Sequence, residues 1–212
     1  TGTDAAVALR RAYRRQLAAI ALRDLDSADP AAVMPSVGRW LADLAGAAVA
    51  AALAVSRATL AEREGPAVDR VDLAVIGMGK CGARELNYIS DVDVVFVHEF
   101  LDPDPEAAGE AGADGADGEA SDAVDGTRAA VLAAELAAGI GRVIQAAAPE
   151  PGLWEVDANL RPEGKDGALS RTLDSHAEYY RRWAHGWEFQ ALLKARPIAG
   201  SADLGARYLE RI

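Results

Sequence analysis

The sequence predicts an α+β domain, a mixed sheet flanked by N-terminal and C-terminal helices. Three observations lead there. Residues 5–24 and 31–63 carry apolar side chains at helical spacing. Two runs rich in β-branched residues, "RVDLAVIG" (70–77) and "DVDVVFVHEF" (91–100), follow as strands. The helical pattern then returns over 127–147 and 173–195. Half of the 212 residues are apolar (50%), enough for one sizeable core.

The first helix, "AAVALRRAYRRQLAAIALRD" (5–24), sets apolar residues beside an arginine-rich face, and "SADP" (27–30) ends it. The second is alanine-rich and tolerates Pro35 only because that residue lies near its start. Its uncharged stretch, 44–56, is too short to span a bilayer, so no membrane association is expected. Together, residues 1–65 read as a helical leader packing on a catalytic domain over 66–200, with 201–212 opening a further helical segment. The single cysteine, Cys81, excludes an internal disulfide, and with no signal peptide the expected location is cytoplasmic.

The formal charge of −11 lies largely in 102–125, which has acids, alanines and glycines but no basic residue. Such a stretch cannot bury enough apolar surface to offset its ordering entropy, so 101–126 reads as an acidic, disordered insertion. It lacks the spacing of a calcium-binding loop. Outside it the chain is mildly acidic, which argues against a nucleic-acid partner.

"GMGKCG" (77–82) has the glycine spacing of a dinucleotide-binding loop, but the context fails. That fold needs a full crossover helix after the loop and a lone acid about twenty residues on. Here "KCGARELNYIS" leaves room for two helical turns at most before the next strand, and the acids come as a pair, Asp91 and Asp93. A P-loop would need Ser or Thr after Lys80, where Cys81 stands.

Side chains two apart on a strand share a face, so Asp91 and Asp93 stand together while Val92 and Val94 pack behind them. Adjacent carboxylates repel unless a cation lies between them, and magnesium suits a few carboxylates completed by water and phosphate oxygens. "LWEVDANLRP" (153–162) reads as a third strand and supplies Asp157, with Glu155 and Asn159 on the same face. A glycine turn, Ser90, an Asp-x-Asp strand and a later strand acid form the arrangement of polymerase-β-like nucleotidyltransferases, in which three carboxylates hold metal ions against nucleotide phosphates.

Three segments then carry a closer resemblance: "GMGKCGARELNYISDVDVVFVHE" (77–99), "VDANLRPEGKDGALSRT" (156–172) and "YYRRWAHGWEFQALLKARPIAG" (179–200). They closely resemble the bifunctional glutamine synthetase adenylyltransferase/adenylyl-removing family, whose long chains carry two nucleotidyltransferase domains. The resemblance implies that this chain holds one of the two. "ELNYISDVD" is similar to the N-terminal, adenylyl-removing copy, with Asn87 and Ile89 as the deciding positions; the C-terminal, adenylylating copy tends towards "ELGYGSD". It further implies Asp91, Asp93 and Asp157 as ligands of one or two magnesium ions. Gly79, Lys80 and Ser90 match the phosphate-loop positions, and Arg161, Lys194 and Arg196 would neutralise phosphate charge. The implied partners are glutamine synthetase, ADP or ATP, inorganic phosphate and, on the full-length enzyme, a PII signal protein. A catalytically silent docking module of the same fold is the alternative from another class. The family often places Asp after "AG", where this chain has Ser201.

Other residues carry less. Tyr179, Tyr180, Trp183, Trp187 and Phe189 are expected in the core rather than as an adenine-stacking wall. His98, His176 and His185 lack metal-ligand spacing, Glu188 is unassigned, and Cys81 reads as a small packing residue.

Overall fold

The computed structural model describes residues 2–101 and 126–212. Residues 102–125, the body of the expected acidic insertion, lie outside the described residues.

Two long helices come first, α1 (Gly2–Leu25) and α2 (Pro30–Glu64). Asp29 caps α2 by accepting from the Ala32 N–H at 3.1 Å, with Pro30 at the first helical position. Gly65, at φ 67°, ends it. A 3-10 turn leads into β1 (Val71–Gly77), then a four-residue helical turn, α3 (Gly79–Gly82), and β2 (Val92–Phe100). After α4 (Gly126–Gln145) the chain forms β3 (Val156–Asp157), β4 (Ser170–Thr172), α5 (Leu173–Arg182), α6 (Gly186–Leu192), β5 (Arg196–Gly200) and α7 (Ala202–Arg211).

The sheet is mixed. Its order is β3-β2-β1-β5, with β4 also on the β2 edge. β1 pairs antiparallel with β2 and β5, whereas β3 and β4 lie parallel to β2, end to end along it. The continuous apolar runs of β1 and β2 follow from burial on both faces. On one face Leu73, Val75, Val94 and Phe96 meet α2 and α4 through Leu41, Val49, Leu136 and Ile140. On the other, Ala74, Ile76, Val95 and Val97 meet Leu204 and Tyr208 of α7. Each such fully buried aliphatic or aromatic side chain contributes about 1.5–3 kcal/mol.

Several elements differ from expectation for identifiable reasons. The expected ten-residue third strand shrinks to two residues, because the Asp157 carboxylate accepts from the Asn159 N–H at 2.7 Å and Arg161 N–H bonds Ala158 O, turning the chain out of the ladder. The helical run expected over 173–195 is broken at Trp183–His185. β5 carries Pro197, which a strand tolerates at the sheet edge. Of the five aromatics expected in the core, Tyr180 is buried, Tyr179 is half-buried, and Trp183, Trp187 and Phe189 are exposed. Contrary to the bilayer argument, the stretch Pro30–Arg70 is long and apolar enough by composition to cross a membrane. Its apolar side is occupied, however: Leu41, Ala45, Val49 and Ala52 lie in the core beneath the sheet.

Arg10 is the largest fully buried side chain. It donates to the carbonyls of Val143 (2.8 and 3.0 Å), Ala146 (2.8 Å), Glu150 (2.7 Å) and Arg142 (3.4 Å). Arg14 adds bonds to Pro151 O and Gly152 O, both 2.8 Å, and to Glu150 Oε1 at 2.7 Å. The arginine face of α1 thus fastens the strap that delivers the chain to β3.

Candidate active site

The site forms where β2 begins. Parallel pairing sets Asp93 opposite Asp157, with Val92 opposite Val156 beside them. Val92 N–H bonds Glu155 O at 2.9 Å, and Val156 N–H bonds the Gln145 side-chain oxygen at 2.8 Å, so the short β3 is held from both sides. Asp93 lies on the face of β2 that Val95 and Val97 share, while Val92 and Val94 pack beneath. Asp91 precedes the strand and is exposed. One carboxylate oxygen from each of Asp91, Asp93 and Asp157 falls within 4.8 Å of the others.

The glycine turn closes one side. Met78 N–H donates to Asp93 O at 2.9 Å, and Gly79 follows at φ 50°. A Cβ built on Gly79 would meet Asp93 Oδ2 at 2.5 Å, so both conformation and space require glycine. Gly82 is equally constrained, since the backbone of Lys194 packs on it. Lys80 is exposed, and its charge pulls the Asp93 carboxyl downward. The net effect is the reverse: burial first, then Asp91 and Asp157, raise Asp93 above the ordinary carboxylate range. Ser90 Oγ donates to Asp91 Oδ1 at 3.3 Å.

The remaining expected cations are bonded within the protein. Arg161 donates to the carbonyls of Ala158 (2.8 Å), Gly167 (3.1 Å) and Lys165 (3.1 Å), bracing the turn after β3. Arg196 donates to Gly82 O (3.1 Å) and Cys81 O (3.0 Å), holding the end of the glycine turn. Lys194 pairs with Glu85. Glu188 is buried in a capping box, accepting from His185 N–H (2.7 Å) and Tyr179 OH (2.9 Å). Glu155 is exposed, and Asn159 serves the turn after Asp157. Ser201 caps α7 by accepting from Leu204 N–H at 3.2 Å.

His98, on β2, and His176, on α5, are both buried, and desolvation pushes both down to about 4, so they are neutral at pH 7. Burial raises the Cys81 thiol to about 11, which leaves it protonated and unsuited to nucleophilic attack. Arg10, Arg14 and Gln145 act on the site through β3, and sequence reasoning missed them. Their partners are mostly backbone carbonyls or a backbone N–H far along the chain, which leave no residue-type signature.

The three carboxylates suit a hard divalent cation. All the donors are carboxylate oxygens, and the one small residue that fits against Asp93 keeps the cradle open. An acidic triad at the head of a mixed sheet, closed by a glycine turn, offers a set of carboxylate oxygens of the kind that holds a divalent cation. Residues 2–211 match the glutamate-ammonia ligase adenylyltransferase (GlnE) family, and the chain belongs to it. Similar proteins are the bifunctional glutamine synthetase adenylyltransferase/adenylyl-removing enzymes of Leifsonia xyli subsp. xyli (51% identical, over 97% of this chain and 19% of that protein), Streptomyces coelicolor (48%, over 96% and 18%) and Bifidobacterium longum (46%, over 98% and 17%). The chain spans less than a fifth of the length of these relatives.

Proposed function

We propose that residues 66–200 form a polymerase-β-like nucleotidyltransferase domain that deadenylylates glutamine synthetase by phosphorolysis. The observation that carries this reading is the convergence of Asp91, Asp93 and Asp157 across the β2–β3 register. Three unneutralised carboxylates so close together are costly, and holding metal against phosphate oxygens gives them a purpose. A docking module without turnover would have no use for that repulsion.

In the reaction, an oxygen of inorganic phosphate forms a bond to the phosphorus of the adenylyl group. The bond from that phosphorus to the tyrosine oxygen breaks, the phenol takes the proton that the phosphate carried, and ADP leaves. Asp91, Asp93 and Asp157 would hold one or two magnesium ions, whose bound charge offsets that of the two phosphates. One of the three carboxylates would also help position or deprotonate the attacking phosphate. Gly79, Lys80 and Ser90 line the phosphate approach. Arg161, Lys194 and Arg196 shape the surrounding turns and add positive potential.

Asn87 and Ile89, in "ELNYISDVD", support removal over transfer. The second reading, adenylylation from ATP, draws on the relatives' name, which carries both activities. Control by a PII signal protein would operate on the longer chain. A paired assay separates the two directions. Adenylylated glutamine synthetase with magnesium and phosphate is monitored for ADP, and unmodified glutamine synthetase with magnesium and ATP is monitored for AMP transfer. Phosphate-dependent ADP release is the expected result; AMP transfer alone would reverse the direction, and neither would remove the enzymatic reading.

A further inference from the structure

Beside the acids, the end of α1, the start of α2 and the loop over 83–89 enclose a groove of about 900 Å3. Apolar side chains dominate its surroundings. Ile89 is 96% exposed and Met34 67% exposed, with Pro35, Val37 and Leu86 between them. The exposure of Ile89 does not come from a slack loop. Leu86 N–H bonds Gly38 O at 3.3 Å, Tyr88 OH donates to Asp24 Oδ2 at 2.9 Å, and Arg84 pairs with Asp43. Two large apolar side chains, Ile89 and Met34, held in water on the same groove mark a contact surface more than either would alone.

We infer that this groove receives the polypeptide flanking the modified tyrosine of the protein substrate; the inference rests on the function proposed above. Reach selects this occupant. Only Ser90 separates Ile89 from Asp91, so the two lie at most about 7 Å apart along the chain. When the tyrosine's phosphodiester sits at the three carboxylates, substrate residues three or four positions away lie within about 10–14 Å of it. That span covers Ile89 at the rim of the groove, so an extended substrate segment running from the acids towards the start of α2 would lie in it. Apolar side chains in that segment would bury Ile89 and Met34, while the carboxylates hold the phosphate. The groove thereby supplies protein selectivity that the acidic site, which reads only metal and phosphate, cannot supply.

The test compares two substrates on the intact protein, with Met34→Asp and the uncharged truncation Ile89→Ala made separately and Met34→Leu as the conservative control. Phosphate-dependent ADP release is measured from adenylylated glutamine synthetase and from O-adenylyl-tyrosine amide, a small substrate too short to reach the groove. The expected result is a KM for the protein substrate raised about tenfold by Met34→Asp or Ile89→Ala, the loss of one buried apolar contact, with kcat and the KM for the small substrate unchanged and Met34→Leu near wild type. An unchanged protein KM would overturn the inference, as would equal losses on both substrates, which would place these residues in service of the acids. A change in sedimentation on substitution would assign the groove to a second copy instead. Wild-type protein releasing no ADP from either substrate would refute the underlying reading and this inference with it.

Discussion

Replacing Asp93 with Asn should raise stability without metal and remove most of the stability that magnesium adds. Unit charges 4.8 Å apart, the limit of separation within the triad, repel by about 0.9 kcal/mol in water and about 3.5 kcal/mol at an effective dielectric of 20. Asp91 is exposed and Asp93 and Asp157 are half-buried, so the lower figure governs. Asp93 takes part in two such pairs, and Asn keeps its shape. The neutral variant therefore gains about 2 kcal/mol without metal, a rise of about 4–8 °C in Tm for a chain of this size. Magnesium acts in the opposite sense. At a hundred times Kd it stabilises wild type by about 2.7 kcal/mol, and the variant, short of one charged ligand, loses most of that. Thermal melts in EDTA and in saturating magnesium chloride read both effects. Asp93→Asn melts above wild type in EDTA, gains little from magnesium, and has no turnover. Lower stability in EDTA, or an equal magnesium gain in both proteins, would refute the triad as a cation site.

Other expectations rest on separate features. His98 and His176 titrate near 4 in the folded protein and near 6.5 when unfolded. The unfolded chain therefore takes up protons first as pH falls, and the stability these residues confer is complete above about 6.5 and lost towards 4, roughly 3 kcal/mol for each. Urea midpoints should drop between pH 7 and 5, with His176→Gln flattening the dependence; parallel profiles would count against it. Gly79→Ala forces a Cβ onto Asp93 Oδ2 at a left-handed φ. It should cost about 1 kcal/mol of stability and far more in function, weakening magnesium binding by calorimetry about tenfold or more; unaltered affinity would show that the cradle is not used. Arg10→Met strands the carbonyls of Val143, Ala146 and Glu150 and should lower unfolding free energy in urea by about 3 kcal/mol or more. Arg10→Lys should restore little, because a point charge cannot fork to several acceptors; a loss under about 1 kcal/mol would contradict this role.

Local features were legible because their physics is local. Helical spacing marks α1, α2 and α4, and β-branched runs mark β1 and β2 with near-correct ends. The Asp-x-Asp pair reads as a shared face from strand periodicity alone, and Asp157 stands out as an acid in a third extended run. The short strands β4 and β5 were not legible. β4 has three residues and β5 contains a proline, so neither shows a pattern that outweighs its neighbours. The exposed Trp183, just after α5, and Trp187, in α6, misled for a related reason: aromatic content reports the capacity for burial, and only packing decides which rings have a partner.

By itself the sequence determined where the candidate residues stand: an Asp-x-Asp pair on a strand, a third acid in a later extended run, a glycine turn before the pair and cations after it. Residue type and spacing along one strand suffice for that. Only the tertiary structure decided which of them meet. The register that sets Asp93 beside Asp157 joins segments far apart in the chain, and it depends on α1 arginines gripping the strap before β3. The same closure commits Arg161 and Arg196 to backbone carbonyls and leaves Ile89 in water beside the acids. A side chain's partner is set by which surfaces the whole core brings together, and no local pattern encodes that.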